Sequence, residues 1–297
     1  MILKDILAAA VAGETLDPAR LAFLLELKEP GDREALYRAA YQVKLRYIDS
    51  KVRLRGLIEV SNVCGKNCFY CGIRGGNRKV ARFTMSLEEI VAAARHAAEF
   101  RYGSVVLQAG ERSDPGWVDF IENAVREIKK LDGGRLGITL SLGEQSEETF
   151  RRWFDAGAHR YLLRIESSDP ALYAKLHPAD HSYAARVESL HLLRKTGYQV
   201  GTGVMVGLPG QTTANLVHDL EFFKSLDVDM IGMGPYIVHH DTPLGRQFPD
   251  AGSDAGRQLE LGLKMIAVTR LHLRNVNIAS TTALQALAPK GQRRMGA

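Results

Sequence analysis

Three cysteines lie within eight residues of one another, and the 297-residue chain contains no others. Cys64, Cys68 and Cys71 follow a C-x3-C-x2-C spacing in a segment without the periodic apolar pattern of a helix or strand. Thiolates at this spacing can ligate three irons of a cubane iron–sulfur cluster, and the fourth iron then has no protein ligand. Because an open coordination position is typical of a metal that binds substrate, the spacing predicts a reactive cluster.

Two alternative roles for the cysteines stay open at this point. A structural zinc site needs four ligands, and the next histidine along the chain is His96, in a predicted helix. Three unligated core cysteines are the second possibility. A disulfide framework does not fit three cysteines, so we expect a reducing, cytoplasmic compartment.

A charged pair lies in an otherwise apolar segment. Arg164 and Glu166 alternate with Leu163 and Ile165, so in a strand both charged side chains lie on one face. Charges inside a protein are costly unless they have partners. The pattern predicts either that Arg164 meets a ligand carboxylate and Glu166 ligand hydroxyl groups, or that the two only pair with each other.

Two segments with small residues follow other strand candidates. Ala109 and Gly110 precede Glu111 and permit close backbone approach. Residues 207–212 contain two glycines but lack the lysine and the spacing of a P-loop. Both segments also fit ordinary turns between a strand and a helix.

These residues need a scaffold that brings the ends of several strands together. Short apolar strand candidates alternate with amphipathic helices, two of which have start signals at Ser86 and Ser146. The pattern predicts a (β/α) TIM-type barrel, with an open doubly wound sheet as the alternative. The seven strand candidates are Leu54–Ser61, Ser104–Gln108, Leu136–Leu142, His159–Glu166, Val200–Val206, Val228–Gly232 and Val276–Ser280.

The domain organisation follows from the same periodicity. Residues 1–50 carry helical apolar stripes and are predicted to form an N-terminal helical extension. Residues 51–297 are predicted to form the barrel domain. With seven strand candidates, we expect this barrel to lack its eighth strand at the C-terminus.

Composition argues against two classes of partner. The net charge of +5 comes without a basic run interleaved with aromatics, so we expect no nucleic-acid binding. No apolar stretch approaches the ~18 residues that cross a bilayer, so we expect no membrane span. The short run Ala8–Ala12 follows Lys4 and Asp5 closely and favours an amphipathic helix over a secretion signal.

The cysteine segment, with the aromatic Tyr70 before its last cysteine, resembles the motif of the radical S-adenosylmethionine (SAM) superfamily. The resemblance implies a [4Fe–4S] cluster with three cysteine ligands, whose open iron chelates the amino and carboxylate groups of SAM. It also implies reductive cleavage of SAM to a 5′-deoxyadenosyl radical. The SAM-binding residues implied are Tyr70, Ala109, Gly110, Glu111, Thr139, Glu166 and Arg186. Ala109 replaces a usual glycine, and a solvated Arg186 is the alternative.

Within the biotin synthase-like branch, the chain resembles the HydE family of [FeFe]-hydrogenase maturases. The resemblance rests on Leu57–Asn62, Thr139–Glu144, Met205–Thr212 and Asp241–Leu244, taken in this order. It implies action on an iron–cysteine complex bearing carbon monoxide and cyanide. The implied partners are the maturases HydG and HydF and a flavodoxin- or ferredoxin-type reductant. The implied substrate residues are Arg164, Thr281, Thr282, Gln108 and Met205, with His239 a weaker candidate.

Two departures from the family pattern and three rival functions complete the prediction. Ile165 replaces a usual histidine, and Arg112 a usual acid. Sulfur insertion of the biotin synthase kind would need cysteines for a second cluster, which the chain lacks. A methylornithine synthase-like mutase and a non-catalytic iron–sulfur carrier stay open as alternatives.

Overall fold

The fold is a curled parallel sheet covered by helices. The computed structural model describes residues 2–287. Its strands are β1 Gly56–Ser61, β2 Ser104–Ala109, β3 Gly137–Ser141, β4 Arg160–Leu162, β5 Gln199–Thr202, β6 Met205–Val206, β7 Met230–Pro235 and β8 Asn277–Ser280.

Helices separate the strands and cover the outer face of the sheet. They are α1 Leu3–Ala12, α2 Pro18–Leu25, α3 Pro30–Tyr47, α4 Leu87–Glu99, α5 Pro115–Lys129, α6 Glu147–Asp155, α7 Pro170–Leu176, α8 Tyr183–Thr196, α9 Thr213–Ser225, α10 Pro243–Gln247, α11 Ala255–Leu273 and α12 Thr282–Leu287. A 3-10 turn, Leu131–Gly134, follows α5. None of the helices described between residues 2 and 287 is long and apolar enough to cross a membrane.

The strand order confirms a curled parallel sheet of the barrel kind. Neighbouring strands pair in the order β1-β2-β3-β4-β5-β7-β8, and β6 continues the line of β5 beside β7. Residues 2–287 thus fill seven positions of the sheet, and these strands all pair in parallel. Within the described residues, β1 and β8 form the two edges. The start signals are also confirmed: Ser86 forms a capping box with Glu89, and Ser146 caps α6.

The fourth and fifth strands are shorter than the sequence predicts. β4 ends at Leu162, and the line of β5 breaks between Thr202 and Met205. The predicted strand could not have continued through Glu166, because that residue has a φ of 64° that regular strands do not allow. Glu166 N still donates to Gly203 O and Met205 N to Glu166 O, so the two segments stay side by side.

Outward-facing side chains fill two cores. One joins β1–β4 to α4, α5, α6 and α8 and contains Trp117 and Trp153. The other joins α1, α2 and α3 to α9, α11, β6 and β7. Phe222 and Leu226 pack against both. Because side chains alternate along a strand, residues such as Gln108 and Thr139 lie on the inner face of the curled sheet.

Candidate active site

The cysteine loop connects β1 to α4, so it starts at the carboxyl end of a strand, where barrel enzymes carry their chemistry. Cys64, Cys68 and Cys71 are all half-buried and unbridged. The loop is tied down by Arg82, whose guanidinium donates to four backbone carbonyls of the loop, with distances of 2.5–3.1 Å. The sequence gives no signal for this role, because nothing in the spacing of Arg82 indicates carbonyl partners.

The electrostatics of Cys68 and Cys71 fit an iron cluster. Burial, and next the neighbouring Cys71, raise the pKa of Cys68 to about 12. Burial also raises the pKa of Cys71, and Cys64 and Glu166 add to this. Burial first, and repulsion between the sulfurs second, disfavour the thiolate form, and cationic irons bound to thiolates would remove that penalty.

The arrangement differs from that of a single-metal site. Among residues 2–287, no three Cys, His, Asp or Glu side chains are placed to share one metal ion. A cluster does not require that placement, since each thiolate binds a different iron.

The end of β2 lies directly against the loop. Glu111 N lies 3.3 Å from Cys64 Sγ, and Gly65 N donates to Glu111 O. A Cβ at position 110 would collide with Val63 O and lie 2.6 Å from Cys64 Cβ, so only glycine permits this approach. The predicted segment Ala109, Gly110 and Glu111 is thus beside the first cysteine.

A network of four charges surrounds this contact. Lys66 Nζ lies 3.2 Å from both Glu111 Oε1 and Glu144 Oε2, and Glu144 also pairs with Arg186. Burial opposes ionisation of Glu144, but the Arg186 and Lys66 cations hold its pKa below the ordinary value. Arg186 is buried and also donates to Arg164 O, so it is not a solvated surface arginine. The roles of Lys66 and Glu144 had no signal in the sequence pattern.

Arg164 and Glu166 meet in the interior, with Arg164 Nη2 3.0 Å from Glu166 Oε2. Burial raises the pKa of Glu166, and Arg164 and Arg186 partly offset this effect. The mutual pairing that the sequence left open is therefore present. Arg164 Nε remains buried without a hydrogen-bond partner, as does the predicted ligand atom Thr139 Oγ1. Orphaned donors of this kind fit a polar ligand better than a filled core.

The remaining predicted substrate residues differ in their burial and in their hydrogen-bond partners. Gln108 Nε2 donates to Glu59 Oε1, and Met205 is half-buried beside Glu166. Thr281 Oγ1 donates to Met233 O, and Thr282 is exposed at the start of α12. Leu284 N also donates to Thr281 O, so the chain turns directly from β8 into α12 at these threonines. His239 lies over the loop, where a Cβ on Gly72 would be 2.5 Å from its ring.

Tyr70 has partners that the sequence pattern does not reveal. Its hydroxyl lies 3.3 Å from His177 Nε2, and His181 Nε2 accepts a hydrogen bond from Asn67 N. Both histidines are buried and follow α7, more than a hundred residues along the chain from the loop. A contact between residues so far apart depends on the fold, so no local sequence pattern indicates it.

Sequence comparison agrees with this geometry. The family model of the radical SAM superfamily matches residues 58–223, which include the three cysteines, Glu166 and Arg186. The chain belongs to the radical SAM superfamily and is an enzyme of that class. Members of this family typically bind a [4Fe–4S] cluster and SAM. The thiol set, the close approach at Gly110 and the orphaned interior donors fit both groups.

Within the superfamily the chain is similar to the [FeFe] hydrogenase maturase subunit HydE of Thermotoga maritima. The two are 44% identical over 269 residues, which cover 90% of this chain and 74% of that protein. Biotin synthase of Bacillus pumilus is 30% identical over 75% of this chain and 68% of its own. The crystal structure of methylornithine synthase (PylB) has the same fold, with a TM-score of 0.84 at 24% identity, covering 98% of this chain and 84% of that one.

Proposed function

We propose that this chain is a radical SAM maturase that acts in assembly of the diiron subcluster of [FeFe]-hydrogenase. The similarity to HydE supports a role in hydrogenase maturation. The observation that carries the site is the Arg164–Glu166 pair, which lies inside the barrel next to the cysteine loop and keeps a buried donor unpartnered.

In this proposal Cys64, Cys68 and Cys71 would hold one [4Fe–4S] cluster and leave one of its irons open to SAM. When bound, the reduced cluster supplies the electron that cleaves SAM to a 5′-deoxyadenosyl radical. The protein residues bind SAM and orient it. Glu166 accepts hydrogen bonds from ribose hydroxyls, and Arg186, held by Glu144, brings positive charge to the SAM carboxylate.

The substrate we propose is an iron–cysteine complex with carbon monoxide and cyanide ligands. Arg164 suits its carboxylate, because a guanidinium fork binds two carboxylate oxygens at once. HydG would supply this complex, HydF would receive the product, and a flavodoxin- or ferredoxin-type protein would supply electrons. Gln108, Met205, Thr281 and Thr282 remain proposed substrate residues.

Cluster binding is tested by anaerobic reconstitution. We expect about four irons per chain and an EPR signal of the reduced cluster that shifts when SAM is added. Replacing Cys64, Cys68 or Cys71 by Ala should abolish the signal. A zinc-only protein, or a signal indifferent to SAM, would overturn the proposal.

The maturation role is tested by complementation of a host that lacks its HydE gene. We expect the wild-type chain to restore hydrogenase activity and Arg164→Ala to fail while still cleaving SAM. Arg151→Ala, at an exposed arginine of α6, is the matched control. Normal maturation by Arg164→Ala would remove its anchoring role. Wild-type failure, with intact SAM cleavage, would favour the alternative of a mutase like methylornithine synthase, which shares this fold.

A further inference from the structure

The end of α7 and the segment that joins it to α8 contact the cysteine loop at three positions. We name residues 176–181 the histidine segment, after His177 and His181. Three hydrogen bonds join it to residues 67–70, which bracket the second cysteine. They run from Asn67 N to His181 Nε2 (3.1 Å), from Phe69 N to Leu176 O (2.9 Å) and between Tyr70 Oη and His177 Nε2 (3.3 Å).

The hydrogen-bond pattern fixes which way each imidazole points. His177 Nδ1 lies 2.9 Å from Tyr173 O, which can only accept, so Nδ1 carries the proton. His177 Nε2 is then an acceptor, and the Tyr70 hydroxyl donates to it. His181 Nε2 accepts from Asn67 N, so its proton is on Nδ1, which lies 3.0 Å from Asp180 Oδ1.

Ring packing and burial accompany these hydrogen bonds. His177 stacks on Tyr173 with ring centroids 3.9 Å apart and meets the edge of Tyr70 at 5.4 Å. His177 and His181 are 3% and 8% exposed, so water does not compete for these hydrogen bonds. Leu172 and Leu176 belong to a small core that Phe69 and Tyr70 of the loop also contact. The loop and the segment therefore form one packed unit.

We propose that the histidine segment presets the cysteine loop for its cluster, with His177 and His181 as positioning residues. This inference rests on the proposed cluster on the three cysteines. His177 holds Tyr70 and thereby the spacing of Cys68 and Cys71, and His181 holds the backbone between Cys64 and Cys68. Residues behind metal ligands commonly set metal affinity in this way, since they orient the ligands without touching the metal.

The test is a double-mutant cycle on His177 and Tyr70. His177→Phe keeps an aromatic ring on Tyr173 but removes the acceptor, and Tyr70→Phe removes only the hydroxyl. We expect each single variant to lose iron to a chelator about tenfold faster than wild type. The double variant should lose iron no faster than either single one, because both changes break the same hydrogen bond.

A second pair of variants tests His181 independently of ring packing. His181→Gln can place an oxygen near the former Nε2, whereas His181→Leu cannot accept the Asn67 N–H. We expect Gln to retain iron as wild type does and Leu to lose it about tenfold faster. His191→Phe, at an exposed histidine of α8, is the control for changing a histidine as such. Thermal unfolding of the iron-free proteins shows whether each variant folds.

The outcomes separate this inference from the proposed function. A wild-type protein that takes up no cluster overturns both. A stable wild-type cluster with His177→Phe and His181→Leu indistinguishable from His191→Phe, in iron loss and in the EPR shift with SAM, overturns the positioning role alone. Additive effects of His177→Phe and Tyr70→Phe would show that His177 does not act through the Tyr70 hydroxyl.

Discussion

Glu166 combines two features that are each unusual for a glutamate. Its side chain is buried beside Arg164, and its backbone lies in the left-handed region with a φ of 64°. Non-glycine residues in that region are costly and persist where the surrounding structure holds them. Here the neighbouring strand holds Glu166 through bonds to Gly203 O and from Met205 N. The strain aims the carboxylate into the barrel.

The first prediction concerns this carboxylate. Glu166→Gln should weaken SAM binding by ~1.5–3 kcal/mol, because a neutral amide replaces a charged acceptor. Anaerobic titration calorimetry of the reconstituted protein measures the effect. Glu188→Gln, at an exposed glutamate of α8, serves as control. Unchanged affinity in Glu166→Gln would remove Glu166 from the SAM site.

At this scale the sequence predicted residue types better than their partners. The C-x3-C-x2-C spacing grouped the three thiols, and the alternation put Arg164 on the same strand face as Glu166, with which it pairs. Lys66 lies in the cysteine loop itself, but its partner Glu144 is 78 residues away along the chain, and His177 is 107 residues from its partner Tyr70. No local pattern records such contacts, so the sequence could not predict them.

The connection from β4 into α7 depends on helix α9. Asp219 of α9 is fully buried, and its Oδ1 accepts hydrogen bonds from Ser168 N and Ser168 Oγ, at 2.7 and 2.6 Å. Ser168 follows Glu166 by two residues, so this contact fixes the strained segment to a helix. The sequence predicted α9 and the strand before it but placed the end of β4 four residues too late. Alternation continues past the point where the ladder stops, and periodicity alone cannot detect that break.

The second prediction concerns the pH dependence of this contact. Burial raises the pKa of Asp219 to about 7, against an ordinary value of 3.8, and Asp169 adds to the effect. Tyr183 and His218 are the other titratable groups at the site. The folded protein therefore binds a proton between these values that the unfolded chain does not. Asp219 contributes stability at low pH, and this contribution is lost as the pH rises through about 7.

Asp219→Asn isolates this contribution, since an amide oxygen can still accept from Ser168 but does not titrate. We expect the variant to be more stable than wild type at pH ~8 by roughly 2–4 kcal/mol, and close to it at pH ~4. Urea unfolding of the iron-free protein at both pH values gives the difference. Asp250→Asn, an exposed site, controls for charge. A difference that grows toward low pH would contradict the raised pKa.

At the scale of the whole molecule, the predicted boundary at residue 50 raises the question whether the N-terminal helices and the barrel unfold together. The N-terminal helices were predicted as an extension to the barrel, and the structure places three helices there. Leu21, Leu24 and Leu36 are buried in the same core as Leu220 and Val268 of the barrel helices. Lys264 Nζ donates to Leu27 O across this contact. We therefore predict that residues 1–50 and the barrel unfold as one unit.

Leu24→Ala tests this coupling with a probe in the opposite half of the molecule. The chain has two tryptophans, Trp117 and Trp153, and both are buried in the core that the N-terminal helices do not enter. Truncating Leu24 removes fully buried apolar volume and should cost ~2–5 kcal/mol. If the two cores unfold together, tryptophan fluorescence and far-UV circular dichroism shift to the same lower urea midpoint. Leu45→Ala, at a leucine 44% exposed, should leave both midpoints near wild type. A fluorescence midpoint that stays at the wild-type value, with an earlier separate loss of helix signal, would make residue 50 a true domain boundary.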